Sequence, residues 1–315
     1  MNTTVIICSF NRSAILHDTV CSLLQQTTRP EAILLSLCDE LSVLPETKSL
    51  PGVRCIFGPQ GSSAQRNTAI AFASTPYALF LDDDVELAPE YIEQMERVFM
   101  ADPSIAAASG EVVEDGAKSG KGIERSVAIN ALLHYRGGRE CTGIKIKDFF
   151  GCNMFVRRDI LDKERFDERL PLYGWLEDRD FLWRCAKHGK MIRNRSAQIA
   201  HLATRSGRTS DVRYGYTKIA NPFYMWRKGV VSNVAELIVM YWIKTTFANI
   251  ARAIAPRQSP TADYRQRLKG NFLAYRDLLL FRIDPQNILA IPDSRAPVVP
   301  AQSARAWQSE TTRST

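Results

Sequence analysis

Apolar residues fall into two alternating rhythms along the chain. Short, nearly unbroken runs at Thr4–Ser9, Ala32–Leu37, Gly52–Phe57 and Tyr77–Leu81 have the length of buried strands. Between them, apolar positions recur every three or four residues. Leu16, Val20, Leu23 and Leu24 form one helical face, opened near Ser13 and ended by Arg29–Pro30. Tyr91, Ile92, Met95, Val98 and Phe99 form another, opened by Pro89 and closed before Pro103. A third helix, Ala64–Ala73, follows the Gly/Pro/Ser loop Gly58–Ser63. This alternation predicts an α/β fold with a Rossmann-like, mainly parallel central sheet and helices on both faces. Later strands are predicted at Ile105–Val113, Cys152–Val156 and Gln198–Leu202, with helices at Ser126–His134 and from Glu177 to Ala186, stopped by Gly189. Asp115–Gly122 and Gly137–Lys147 read as irregular.

The pattern changes after about residue 210. Residues 1–210 carry the strand–helix alternation, 211–284 read as a helical basic extension, and 285–315 have the Pro/Ser/Arg/Thr composition of a disordered tail. Val230–Ile254 is rich in apolar and aromatic residues but is interrupted by Glu236, Lys244 and Arg252. Its uncharged runs fall far short of the ~20 residues that cross a bilayer, so it predicts core or interfacial helices.

Charge sharpens the division. From Gly215 to Ile283 there are eleven Lys and Arg against three Asp and Glu, a balance of +8 in a chain whose total is +7. Such a segment suits an anionic membrane surface, a phosphorylated lipid or nucleic acid. Seven dispersed cysteines without a CxxC pair predict reduced thiols in the cytoplasm, and the strand-like VIICSF start predicts no leader. At 45% hydrophobic and 24% charged residues, the composition is globular and excludes a disordered chain.

Two acidic clusters carry the candidate chemistry. Asp82, Asp83 and Asp84 follow directly on a predicted strand, with Glu86 behind them. Adjacent carboxylates repel and are costly to desolvate, so they point either to a divalent cation bridging to a phosphate-bearing substrate or to a solvated acidic turn opening the next helix. Glu177, Asp178 and Asp180 occupy a predicted first helical turn, where a carboxylate is rigidly placed for proton transfer or simply complements the helix dipole. Asp39 also ends a strand, and ligands of parallel sheets sit at those ends.

Taken in order, VIICSFNR near the start, Asp39, SSAQRNTAI at 62–70, FLDDDVEL at 80–87, NMFVRRD at 153–159, FDERL…YGWLEDRDF at 166–181 and His201 resemble the glycosyltransferase family 2 enzymes. The resemblance spans roughly residues 4–205 and implies a GT-A nucleotide-sugar-binding fold. It further implies metal-dependent, inverting transfer from a nucleotide-diphosphate-sugar, UDP- or dTDP-linked, to a saccharide or lipid-linked acceptor in polysaccharide synthesis. Asp39 would meet the nucleotide base, with Glu40 in reserve, and Asp82 and Asp84 the ribose side and the metal. Asp178, helped by Glu177, would be the catalytic base. His201 would complete a site for Mn²⁺ or Mg²⁺. Asn11 and Arg66 are placed with the nucleotide, Arg66 as a fork for its oxygens, and Trp175 and Asp180 with the acceptor. The family's first strand usually continues into a Pro-containing stretch, whereas this chain has Cys8-Ser9-Phe10.

Two other functions are weighed. A sugar-phosphate nucleotidyltransferase of the same fold class would need a Gly-rich phosphate loop after the first strand, and CSFNRS lacks glycine. A non-catalytic membrane or nucleic-acid binding module would use the basic extension but leave both acidic clusters unexplained. The partners expected are therefore a nucleotide-sugar, an acceptor and peripheral membrane contact, with no nucleic acid.

Overall fold

A computed structural model of the chain describes residues 2–119, 122–204, 209–231, 233–254 and 262–293. Its strands are β1 (Thr3–Cys8), β2 (Ala32–Leu37), β3 (Val53–Phe57), β4 (Tyr77–Leu81), β5 (Val85–Leu87), β6 (Ile105–Asp115), β7 (Cys141–Gly143), β8 (Asn153–Arg157) and β9 (Lys190–His201). The helices flanking them are α1 (Ser13–Leu23), α2 (Pro45–Lys48), α3 (Ser62–Ile70), α4 (Tyr91–Ala101), α5 (Gly116–Ser119), α6 (Arg125–Leu133), α7 (Arg158–Leu161) and α8 (Glu177–Cys185). Then follow α9 (Asp211–Arg227), a π-helical stretch Glu236–Ile243 that runs into α10 (Lys244–Ile254), and α11 (Tyr264–Leu279).

One sheet in the order β3-β2-β1-β4-β8-β6-β9-β5, with β7 also on β9, forms the frame. The first four strands are parallel neighbours, as the apolar runs predict. The mixed half begins at β8, antiparallel to both β4 and β6, while β6 and β9 pair in parallel. Both faces are covered. Leu16, Val20 and Leu23 of α1 and Ile92, Met95 and Phe99 of α4 pack on one cluster with Val5, Ile7 and Leu35. Ile6, Leu34 and Phe80, whose side chains alternate to the other face, pack with Ala69 and Ile70 of α3 and Phe181 and Leu182 of α8.

Register does the functional positioning. Val85 of β5 pairs with His201 of β9, and Asp115 of β6 pairs with the same His201. Leu81 pairs with Asn153, which brings Gly151 and Cys152 beside the end of β4, where the Asp82 N–H donates to the Cys152 carbonyl at 3.2 Å. Residues about a hundred apart in sequence thus meet at one edge.

The basic extension folds as helices against this frame, with α9 and α11 packed closely together. Gly215 and Gly270 sit at their crossing, where an added Cβ would come within 2.0 Å of a backbone carbonyl of the other helix. Residues 285–293, assigned by composition to the tail, form a 3₁₀ turn at Pro285–Ala290 whose Ile288 is fully buried beside Tyr216. Segments 205–208 and 294–315, which include the approach to the 210/211 boundary and the rest of the tail, lie outside the described residues.

Candidate functional site

A cavity of about 570 Å³ opens at the edge where β1, β4, β6 and β9 end, and residues of both acidic clusters line it. Arg66 links them. It lies inside α3, within the predicted helix, and is 5% exposed. Its Nη1 donates to Glu177 Oε1 at 2.8 Å, and its Nη2 lies 3.6 Å from Asp82 Oδ1. The guanidinium also lies over the Phe166 ring at 5.0 Å. One fork therefore spans from the strand-end aspartates to the start of α8.

The aspartate run divides its labour. Asp83 turns inward and is buried, accepting from Ser9 Oγ and Arg12 Nη1, each at 2.6 Å. Burial pushes its carboxyl up to about 6, against the opposing charge of Arg12. Asp84 Oδ2 accepts from the Thr204 N–H and hydroxyl, both at 2.7 Å. Burial works to raise Asp84, but its bonds to His201 and Thr204 and the charges of His201 and Arg12 prevail and hold it below the ordinary carboxylate range. Asp84 Oδ1 lies 3.5 Å from His201 Nε2, and Asp82 Oδ2 lies 3.9 Å from that nitrogen.

Asp82, Asp84 and His201 each offer one ligand atom, all within 4.8 Å of one another. Two carboxylate oxygens and one imidazole nitrogen are a donor set that suits Mn²⁺ and also accepts Mg²⁺. The outer contact supports this reading: His201 Nδ1 is bonded to Asp115 Oδ1 at 2.9 Å, the arrangement that fixes a ligating imidazole's tautomer and ring plane. Burial works against an imidazolium at His201, but the bonds to Asp115 and Asp84 and the charges of Asp84 and Asp82 raise it to about 10. Cation binding there is accordingly linked to release of that proton.

Also in the lining, Glu177 and Asp178 open α8. Leu176 before them adopts φ 80° and Leu172 φ 59°, left-handed conformations uncommon for leucine, and both line the cavity. The Leu172 segment is held by a bridge to Gly61, and its carbonyl accepts the Ser62 N–H at 2.9 Å. Glu177 is tied down by Arg66 and, at 3.3 Å, by Ser62 Oγ. Burial first, then the neighbouring Asp178, push its carboxyl up to about 7 against the pull of Arg66. Asp178 is held more lightly. Its Oδ1 accepts the Arg179 N–H at 2.7 Å, and Oδ2 lies over Gly151, where a Cβ would come within 2.3 Å. Burial raises its pKa as well. Of the pair, Asp178 is the carboxylate with an oxygen to offer an incoming hydroxyl.

The other predicted residues are distributed unevenly. Trp175 lines the cavity, its ring covered at 3.4 Å by Lys218 Nζ and met edge-on by Tyr241. Asp180 lies outside the cavity lining. It is fully buried and ion-paired to Arg184 and Lys228, a contact that anchors α8 to α9. Asp39 and Asn11 also stand outside the lining but converge on Ser42. Asp39 Oδ1 accepts from the Ser42 N–H and hydroxyl, and the Asn11 N–H donates to Ser42 Oγ at 3.4 Å. Glu40 is exposed and paired with Lys48.

Sequence reading passes over Arg12, Asp115 and Gly151. Arg12 lies within the VIICSFNR stretch and could have been suspected as a counter-charge to three aspartates. Asp115 and Gly151 carry no local signal, because strand register brings Asp115 to His201 and tertiary packing of α8 sets Asp178 over Gly151.

Known proteins share the fold. Among solved structures, residues 1–349 of S. aureus TarS overlay at TM-score 0.51 and 12% identity, covering 88% of this chain and 92% of that one. The mannosyltransferase PcManGT from Pyrobaculum calidifontis, solved in complex with GDP-Man and Mn²⁺, overlays at TM-score 0.52 and 14% identity, covering 92% and 85%. This chain spans 45% of the length of a longer S. aureus TarS chain. These likenesses are of fold, and the fold is the GT-A type that the sequence resemblance implies. No curated protein sequence matches the chain. The model of the family described as Glycosyl transferase family 2 matches residues 4–165, more than half of the chain and the whole run from β1 through the aspartates to β8. By that match, the chain belongs to glycosyl transferase family 2.

Proposed function

We propose that the chain transfers a sugar, with inversion, from a nucleotide-diphosphate-sugar to a saccharide or lipid-linked acceptor in the cytoplasm, as a step of polysaccharide synthesis. The observation that carries this reading is the span of Arg66. Its fork ties Asp82, and with it the Asp82–Asp84–His201 group, to the Glu177–Asp178 pair, and Asp82, His201, Glu177 and Asp178 all line one cavity. An inverting displacement needs the leaving group and the base on opposite faces of the reacting carbon, and a cavity lined by two acidic clusters supplies both.

Asp178 accepts the proton of the acceptor hydroxyl while that oxygen bonds to the anomeric carbon and the bond from that carbon to the diphosphate oxygen breaks. Glu177 and Arg66 position Asp178 through the rigid first turn of α8. Trp175, in the lining with one face taken by Lys218, is the aromatic ring we assign to the acceptor sugar. At the strand ends, Asp82, Asp84 and His201 would hold Mn²⁺ or Mg²⁺, which supplies charge neutralisation at the departing diphosphate. Arg12 pairs with Asp83 at 2.6 Å and reaches Asp84 at 3.4 Å, while Asp82 and Asp84 are the aspartates whose oxygens lie within reach of His201. Asp39 and Asn11, gathered at Ser42, stand at the nucleoside end, with UDP- and dTDP-sugars as the first donors to try. GDP-Man, the ligand of PcManGT, joins them in the screen.

The test is a thermal-shift screen of nucleotide-sugars with and without Mn²⁺, since a ligand that binds the folded state raises its melting temperature by mass action. One donor should stabilise the chain in a Mn²⁺-dependent way. Stabilisation by none of them, or donor turnover that survives EDTA, would count against the reading.

A further inference from the structure

We propose that the helix running from Glu236 to Ile254 is a membrane-docking element that lays its outer face on an anionic bilayer and holds the cavity close to that surface. Two sides of this helix have opposite fates. The inner side is committed to the protein. Leu237 is buried, Tyr241 lines the cavity and bonds to Arg179, and the Trp242 indole donates to the Ile219 carbonyl at 3.2 Å. Asn249 bonds to Asn271 of α11 at 2.9 Å, and Glu236 pairs with Arg179. These bonds fix the rotation of the helix.

The outer side is left apolar. Val239, Ile243 and Phe247 follow at four-residue steps and Ile254 continues their line, exposed at 53%, 46%, 65% and 79%. Bulky residues at this exposure, in one row, are not the scattered apolar surface of an ordinary soluble face. Lys244 and Arg252 interleave with the row, both exposed. An apolar stripe flanked by basic side chains is the pattern of a helix lying in the plane of a bilayer interface. No helix among the described residues is long and apolar enough to cross a membrane.

Charge selects the occupant. The segment Gly215–Ile283 carries a balance of +8, so a two-fold pairing with a second copy would set like charges against each other, whereas an anionic lipid surface complements them. The inference deepens the proposed function by favouring a lipid-linked acceptor, because Tyr241 and Glu236 tie this same helix to the acceptor side of the cavity. In that respect it rests on the transferase reading, while the docking itself does not.

The experiment is co-sedimentation of the full chain with vesicles of phosphatidylglycerol plus phosphatidylcholine, and with phosphatidylcholine alone. The chain should bind the anionic vesicles more tightly, and high salt should weaken the binding. The Ile243→Glu/Phe247→Glu variant should lose about a hundredfold in partitioning, from two exposed side chains each contributing about tenfold when inserted. Its Mn²⁺-dependent donor stabilisation should match the wild type, which shows that the fold and the donor site are intact. Wild-type protein that stays in solution with anionic vesicles, or a variant that binds them as tightly as wild type, overturns the proposal. So does a wild-type dimer in solution that the variant converts to monomer, since a second copy would then cover this face. If the vesicles bind but no nucleotide-sugar stabilises the chain, docking stands and the transferase reading fails.

Discussion

Gly151→Ala perturbs the proposed base without touching its charge. The added methyl would lie 2.3 Å from Asp178 Oδ2, where ordinary contact starts at 3.4 Å. The carboxylate must therefore retreat by about 1.1 Å or swing out of its place, because the methyl has no other side to occupy. A reacting group misplaced by about 1 Å costs on the order of a hundredfold in rate. That is about 2.7 kcal/mol of transition-state stabilisation, and swinging out altogether costs more. Asp178 borders open cavity and can yield without repacking the core, so melting should change little. The assay is release of nucleoside diphosphate from a donor identified by thermal shift, with kcat and the donor KM read separately. The account predicts kcat down about a hundredfold or more, with donor binding and its Mn²⁺ dependence kept. If the backbone at Gly151–Cys152 moved instead, Asp82, whose N–H is bonded to the Cys152 carbonyl, would shift, and Mn²⁺-dependent stabilisation would fall in parallel. That outcome, or an unchanged kcat, would refute the placement of Asp178 as base.

Three further outcomes follow from the same geometry. Arg66→Met leaves Glu177 buried without its cation and should cost about 3–5 kcal/mol in denaturant unfolding near pH 8. The loss should shrink on acidification: a carboxyl raised in the folded state binds its proton more tightly there than when unfolded, so stability is gained below its folded pKa and lost as pH rises through it. At saturating metal and donor, kcat should rise with pH along an acid limb displaced upward from the ordinary carboxylate range, because burial raises both Asp178 and Glu177. An acid limb near 4 would instead indicate an unperturbed carboxylate. Asp115→Ala frees the His201 ring at Nδ1 and should weaken Mn²⁺ affinity about 10–100-fold in a metal titration of donor stabilisation, while wild-type affinity would remove Asp115 from the metal site.

What the sequence makes legible is whatever local pattern encodes. The runs TVIICS and YALFL are buried strands because an unbroken apolar stretch of that length has no solvated face to show, and α4 appears where Tyr91, Ile92, Met95 and Phe99 recur at helical spacing. The two acidic clusters are legible too, since charge at a strand end or a helix start demands an explanation. Pairing is what stays hidden. Asp115 lies at the end of a long strand in a run of ordinary charge, and only the parallel register of β6 with β9 sets it against His201. Arg66 reads as a surface fork for phosphate oxygens, yet α3 packs it into the interior, where its partner is Glu177 from a segment more than a hundred residues away. Asp180 shows the converse. Its place beside Glu177 and Asp178 suggests the same cavity, but one helical step turns it into the core toward Arg184 and Lys228. The antiparallel placement of β8 is similarly unreadable, since its apolar run is the same in either direction.

The central claim is that cation and donor are held by one acidic cluster and the proton is taken by the other. Asp178→Asn tests it most directly, being nearly isosteric and leaving Asp82, Asp84 and His201 untouched. The account predicts Mn²⁺-dependent donor stabilisation equal to wild type together with a loss of at least about a thousandfold in transfer, within the range set by removing a positioned base. Substantial turnover in that variant, or loss of donor stabilisation along with turnover, would contradict it.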